Sequence, residues 1–338
     1  MSPHDPATIR ELPTPSLVVE RSVFDANRAA MDAHLPGARL RPHVKAFKST
    51  SLARELVAPD RGFCCATPRE VEGMVAAGLG GDLLLANESL DVARLGRLGD
   101  HARITVAVDS DATLDAAIAG GVRSVLIDVT VGLPRCGCAP DDAGRLAERA
   151  RRAGLDVRGV MGYEGHLMMV LDPADQAQRV ESSMSALLAA HAEVGGDIVS
   201  GGGTGTSFTN TWCTEIQAGS YTLLDTDYAK QDLPFEIALT VLGTITSVGS
   251  NWIVADCGLK SMAMDHGDPT WPDGDVFFLS DEHATLVPRA DTAGTWTVGD
   301  RVRLQPAHVD PTVAKHECLW VVDGDDVIDR WEVDLRHW

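Results

Sequence analysis

Lys45 stands at the end of Leu40-Arg41-Pro42-His43-Val44-Lys45, with Ala46-Phe47-Lys48-Ser49 after it. An apolar start, a proline and then a lysine ahead of a helix-like run reads as a strand that ends on a functional residue. In βα-barrel enzymes the C-terminal strand ends carry the chemistry. An amine there is suited to hold pyridoxal 5'-phosphate (PLP) as a Schiff base. The plain alternative is a solvated strand-end lysine. Ser200-Gly201-Gly202-Gly203-Thr204-Gly205-Thr206 offers glycine-exposed N–H groups and small hydroxyls, which suit a phosphate. It lacks the lysine of a nucleotide P-loop, which argues against a nucleoside triphosphate. Ala218-Gly219-Ser220-Tyr221 is a second small-residue turn. Barrel phosphate sites commonly form after strands seven and eight. A flexible loop is the other reading of the glycine run.

Tyr163-Glu164-Gly165-His166 closes another apolar run. His166 is a candidate general base, and Tyr163 a candidate to pack on a planar ring or bond its nitrogen. A structural histidine is the alternative. His308-Val309-Asp310 lies in a strand-rich stretch, where period-two alternation puts both side chains on one side. An imidazole and a carboxylate form part of a site for Mn, Mg or Zn; a surface pair is the alternative. Arg135, in Gly132-Leu133-Pro134-Arg135-Cys136-Gly137, is placed to meet a carboxylate or to form a structural salt bridge. Cys64, Cys65, Cys136 and Cys138 have no evident basic partner and read as small packing residues. The seven cysteines fit neither a disulfide framework nor the usual zinc spacing, so reduced thiols are expected.

The elements that must position these residues alternate. Strands are expected at 40–45, 62–66, 82–86, 103–108, 124–128, 157–162, 197–201 and 215–221. Thr67-Pro68-Arg69-Glu70 reads as an N-cap with a capping box, and Asp172-Pro173 opens a helix over 174–194. The run 141–153 ends at Gly154. The expected fold class is α/β: a (β/α)8 TIM barrel over 21–232, compact against the usual ~250 residues. An open doubly wound sheet is disfavoured because no G-x-G-x-x-G follows the first strand. From 233 to 338 helical periodicity fades. Strands are expected at 236–248, 252–255, 276–279, 285–288, 295–298, 301–304 and 318–322, with turns at Gly299-Asp300 and Asp323-Gly324. The early strand within 14–20, ahead of a helix over 24–34, is expected to join this β-rich domain. Trp320, Trp331 and Trp338 read as core or interface, and residues 1–6 as a loose tail.

The chain has 338 residues, 44% of them hydrophobic, and a net charge of −20. So acidic a surface repels nucleic acid and anionic membrane, which excludes both as partners. No basic-then-apolar signal opens the sequence and no apolar run reaches spanning length. A cytoplasmic location is therefore expected.

Arg41-Pro42-His43-Val44-Lys45, Tyr163-Glu164-Gly165-His166, the segment 200–206, Glu215-Ile216-Gln217-Ala218-Gly219-Ser220-Tyr221, Asp256-Cys257-Gly258-Leu259-Lys260 and His308-Val309-Asp310-Pro311-Thr312 occur in one order. Together they resemble the D-threonine aldolase and D-serine dehydratase-like group of fold-type III PLP enzymes. The likeness runs from about Thr14 onward. It implies an alanine-racemase-like barrel with a β domain, and Lys45 as the Schiff-base lysine. It implies phosphate contacts from Thr204, Gly205, Thr206, Gly219, Ser220 and Tyr221, and a divalent metal on His308 and Asp310. The dehydratase branch typically has cysteine as the second metal ligand; aspartate at 310 resembles the aldolase branch. Phe47 departs from the histidine the group usually carries, so any contact made by that histidine is absent here. The implied substrate is a small β-hydroxy-D-amino acid. D-threonine would give glycine and acetaldehyde; dehydration of D-serine or 3-hydroxy-D-aspartate is the alternative. Related racemases pair the lysine with a β-domain tyrosine, whereas Tyr163, Tyr221 and Tyr228 all precede that domain. A non-catalytic PLP carrier would lack the domain altogether. Members commonly form homodimers.

Overall fold

The computed structural model describes residues 6–337. Most of the expected tail and Trp338 lie outside the described residues. The described chain forms two compact units. One comprises Met31–Lys45, Ala53–Gly219 and the segment from Leu335. The other comprises the segment ending at Ala30, Ala46–Leu52 and Ser220–Asp334.

The first unit is built on parallel strands paired in chain order: Phe63–Cys65, Leu83–Leu85, Ile104–Val108, Ser124–Asp128, Asp156–Gly162, Ile198–Gly201 and Glu215–Ile216. An eighth segment, 40–43, closes the ring. Leu40 pairs with Ile216 and His43 with Cys64, both in parallel. The amides of Arg41 and His43 donate to Ile216 and Ala218 at 2.9 and 3.1 Å, and the Cys64 amide to Pro42 at 2.9 Å. Most strand residues are apolar and fully buried, as a parallel sheet covered on both faces requires.

Local chemistry fixes the helices between the strands. The Thr67 hydroxyl accepts the Glu70 amide at 3.2 Å, opening helix Pro68–Ala76. Glu70 reaches back past the cap to the Ala66 amide at 2.6 Å, one residue further than in the expected box. Asp172 caps helix Pro173–Val194 by accepting the Asp175 amide at 2.8 Å.

Two sequence expectations change here. The first strand stops at His43, and Val44–Ala46 coil into a 3-10 turn, so Lys45 stands on a turn past the strand end. The last strand holds only Glu215–Ile216 before the turn Ser220–Thr222. Arg41, expected among the functional motifs, is part of a buried ion network. It donates to Glu215 at 2.8 Å and to Asp82 at 3.2 Å, while Arg158 donates to both Asp82 oxygens at 2.8 Å. Two cations thus face two anions, which is how buried charge is tolerated. Burial opposes ionisation of Asp82, but the Arg158 hydrogen bond and the charges of Arg41 and Arg158 prevail, holding its carboxyl at about 2.

The second unit carries a mixed sheet in the order Gly274–Leu279, Ala284–Pro288, Ile253–Ala255, Leu239–Val248, Ser16–Glu20, Cys318–Asp323, Asp326–Glu332, with Arg301–Leu304 also pairing Leu239–Val248. Ser16–Glu20 runs antiparallel to Leu239–Val248 and parallel to Cys318–Asp323. Ile9, Leu12, Val18, Leu242, Trp320, Val322 and Val327 form one core cluster, and Trp331 packs edge-on against Phe24 at 5.1 Å. The expected strand at 295–298 is absent. The amide and hydroxyl of Thr297 bind the Asp300 carboxylate at 2.7 and 2.9 Å, a local turn that competes with strand pairing. No helix among the described residues is long and apolar enough to cross a membrane.

Candidate active site

The barrel unit collects most of the singled-out residues at the C-terminal strand ends. Past strand Ile198–Gly201 the glycine run bends into the 3-10 turn Thr204–Thr206, all three residues buried. Gly202 takes φ +71, where a Cβ would stand 2.9 Å from Ile216, so the turn needs glycine there. Beneath the loop lies Glu164, fully buried. Its carboxylate accepts the Gly202 amide at 3.1 Å, the Thr206 hydroxyl at 2.9 Å and the Asn210 amide side chain at 2.9 Å. Reading the sequence for chemistry missed this role. Glu164 was visible beside Tyr163 and His166, but nothing local ties it to residues 38 to 46 positions away.

Tyr163 lies under the Arg135 guanidinium, 5.2 Å from its ring centroid, so one face of that ring is taken by a cation. His166, in the turn Gly165–Leu167, packs against Gly132, where a Cβ would sit 2.9 Å from the imidazole. The turn past strand Asp156–Gly162 and the 132–137 loop therefore meet. Arg135 joins Asp128, Val129, Val131, Leu133, Cys136 and Tyr163 around a small cleft. Burial, then the charge of Glu88, pushes the Asp128 carboxyl well above the usual range, opposed by Arg135. The thiols are not activated. Burial raises Cys64 strongly and Cys136 and Cys138 to about 12, and the Cys64 thiol donates to Gln217 at 3.1 Å. No two cysteines are joined. A larger cleft of about 530 Å³ opens at the other end of the strands, lined by Gly80, Gly99, Arg103, Gly121 and Arg123. That end of a barrel serves stability, not chemistry.

In the second unit His308 is the N-cap of the short helix Val309–Val313. This corrects the strand expectation: period-two alternation does not govern His308 and Asp310. The buried Asp225 carboxylate accepts the Val309 amide at 2.9 Å, and burial pushes it up to about 6. Asp310 accepts the Ser220 hydroxyl at 3.0 Å, the hydroxyl that the family likeness assigns to a phosphate. His308 Nδ1 lies 2.6 Å from Asp265 Oδ2. The ring of His266 stacks on that of His308 at 3.9 Å, 9° from parallel. Asp265, His266 and His308 each bring one donor atom within 4.8 Å of the others. Asp265 and His266 were passed over in the sequence, although an adjacent Asp-His pair is a visible signal. Tyr221 and Phe47 are fully buried; Phe47 offers no hydrogen bond where the family has an imidazole.

These residues fit the groups the motifs imply. A turn of small glycines and threonines past a barrel strand is the residue chemistry that suits a phosphate. Imidazole with carboxylates is the donor chemistry of Mn, Mg or Zn. Residues 19–227 match the model of the alanine racemase N-terminal domain, and residues 238–322 that of the putative serine dehydratase domain. The chain belongs to the D-threonine aldolase and D-serine dehydratase-like family of fold-type III PLP enzymes. Within this family it is 35% identical to D-threonine aldolase of an Arthrobacter species, over 99% of this chain and 95% of that protein. It is 29% identical to 3-hydroxy-D-aspartate aldolase of Paracoccus denitrificans, over 96% and 92%. The structure superposes on D-threonine aldolase from Filomicrobium marinum with a TM-score of 0.89 and 30% identity, covering 99% of both chains. Alanine racemase from Corynebacterium glutamicum, at 15% identity and a TM-score of 0.68, shares the fold.

Proposed function

We propose that this family member is a PLP- and divalent-metal-dependent lyase of the D-threonine aldolase type, cleaving β-hydroxy-D-amino acids, with D-threonine giving glycine and acetaldehyde. One observation carries the reading: two residues after His308 the chain has the carboxylate of Asp310 and not a cysteine. That is the aldolase-branch pattern. The 35% identity to a D-threonine aldolase over nearly the whole chain supports it.

Bound PLP supplies an electron sink for the charge left at Cα when a bond to it breaks. Lys45 would hold it, and Thr204, Gly205, Thr206, Gly219, Ser220 and Tyr221 would hold its phosphate, with Glu164 keeping the glycine loop in shape. A divalent ion supplies a Lewis acid for the β-hydroxyl and lowers its pKa; His308 and Asp310 would be its ligands. Arg135 would meet the substrate carboxylate. His166 would take the hydroxyl proton as the Cα–Cβ bond breaks.

Product identification tests the reading. The purified protein, supplied with PLP and Mn²⁺, is incubated with D-threonine and with D-serine. Glycine and acetaldehyde from D-threonine are expected. Pyruvate from D-serine, or 2-oxobutanoate from D-threonine, would instead make it a dehydratase. The proposal extends to a cytoplasmic location, checked by cell fractionation, and to a homodimer, checked by light scattering on the purified protein.

A further inference from the structure

His308 has two ring nitrogens, and the surrounding chain decides which one faces a metal. Its backbone is pinned. The Val309 amide donates to buried Asp225 at 2.9 Å, and the Thr312 hydroxyl donates to the His308 carbonyl at 2.7 Å. That leaves the ring. Its Nδ1 is 2.6 Å from Asp265 Oδ2. One ring face is covered by His266, parallel at 3.9 Å, and His266 is itself tied through Nδ1 to Asp227 at 2.9 Å. Two ligand atoms each ~2.1 Å from one ion lie about 3 Å apart or more. A separation of 2.6 Å is instead that of a charge-assisted hydrogen bond. Imidazoles that give one N–H to a carboxylate present the other nitrogen to a metal.

We propose that Asp265 is a positioning residue of the metal centre. It accepts a hydrogen bond from the Nδ1–H of His308 and so makes Nε2 the metal-facing atom, with His266 fixing the plane of the ring. The proposal rests on the reading of His308 as a metal ligand. It does not make Asp265 a ligand, although its carboxylate lies close enough to the other donors to be mistaken for one.

The test is Mn²⁺ affinity of the metal-stripped, PLP-loaded protein, by calorimetry or by the signal of free Mn²⁺ in electron paramagnetic resonance. Asp265 is half exposed, so its replacement leaves the fold intact; unchanged melting and unchanged PLP absorbance check this. Asp265→Ala is expected to weaken Mn²⁺ binding by about 10- to 100-fold. Asp265→Asn keeps an oxygen that accepts from Nδ1–H, and is expected to restore affinity to within about threefold of the parent. Equal loss in both variants would make Asp265 a direct ligand and overturn the proposal, as would an Asp265→Ala protein that binds like the parent. His308→Ala separates the two levels. If it abolishes binding while Asp265→Ala does not weaken it, only the positioning role fails. If it binds Mn²⁺ like the parent, the metal reading of His308 fails and the role of Asp265 with it.

Discussion

At Glu164 a fully buried carboxylate accepts three hydrogen bonds from the segment that follows strand Ile198–Gly201. Removing it leaves three buried donors without an acceptor, each costing about 1–3 kcal/mol. Glu164→Ala is therefore expected to lower stability by about 3 kcal/mol and to weaken PLP binding. Denaturant unfolding and PLP titration check the two effects separately; a stability loss with unchanged PLP affinity would mean that the loop does not hold the phosphate. Lys45→Ala should remove the visible absorbance of lysine-bound PLP, and a parent protein that stays colourless with PLP would refute the cofactor assignment. His166→Asn should lower kcat by about 10²- to 10⁴-fold if the imidazole is the base. A smaller change would leave His166 as packing against Gly132.

The barrel strands show how an element constrains residues that do no chemistry. Glu215, Arg41, Asp82 and Arg158 come from four strands or strand ends and balance one another inside the ring. Arg41→Met should cost about 3–5 kcal/mol, because it strips two carboxylates of a partner, and adding Glu215→Gln should recover part of that loss. The denaturation midpoints of the single and double variants check this. The same network predicts an acid response. Asp82 has a depressed pKa, so its contribution is complete above the unfolded value of ~4 and disappears as pH falls through about 2. Asp82→Asn should flatten the loss of stability in that window. Gly159 marks another constraint, at the register shift between Ser124–Asp128 and Asp156–Gly162. Its φ of +144 is accompanied by a place for Cβ only 1.9 Å from the Ile198 carbonyl. Strand periodicity predicts the strand but not the irregularity within it.

For the molecule as a whole, the proposed chemistry needs two added groups, and their removal can be read independently. Chelation should abolish turnover and Mn²⁺ should restore it, with the PLP absorbance unchanged throughout; chelator-insensitive turnover would count against His308 and Asp310. The net charge of −20 is a property of the same scale. It repels polyanions, and it places no residue in any site.

The sequence by itself determined what depends on neighbours along the chain. The caps at Thr67 and Asp172, the alternation of strand and helix, the turn at Asp323-Gly324 and the order of the family motifs were all legible, because each rests on a few adjacent residues or on a short period. Strand Asp326–Glu332 was not, since its charged residues at the edge of the sheet mask the alternation of Val327 and Trp331. Tertiary structure alone decided which distant groups meet. It brought Asp265 to His308 across 43 residues, Glu164 under the glycine loop, and Arg41 into an ion network with Glu215 and Asp82. It also moved Lys45 from a strand end onto a turn and His308 from a strand onto a helix cap. The physical reason is that a side chain's type limits the bonds it can make, while sheet register and loop closure choose the partner it makes them with.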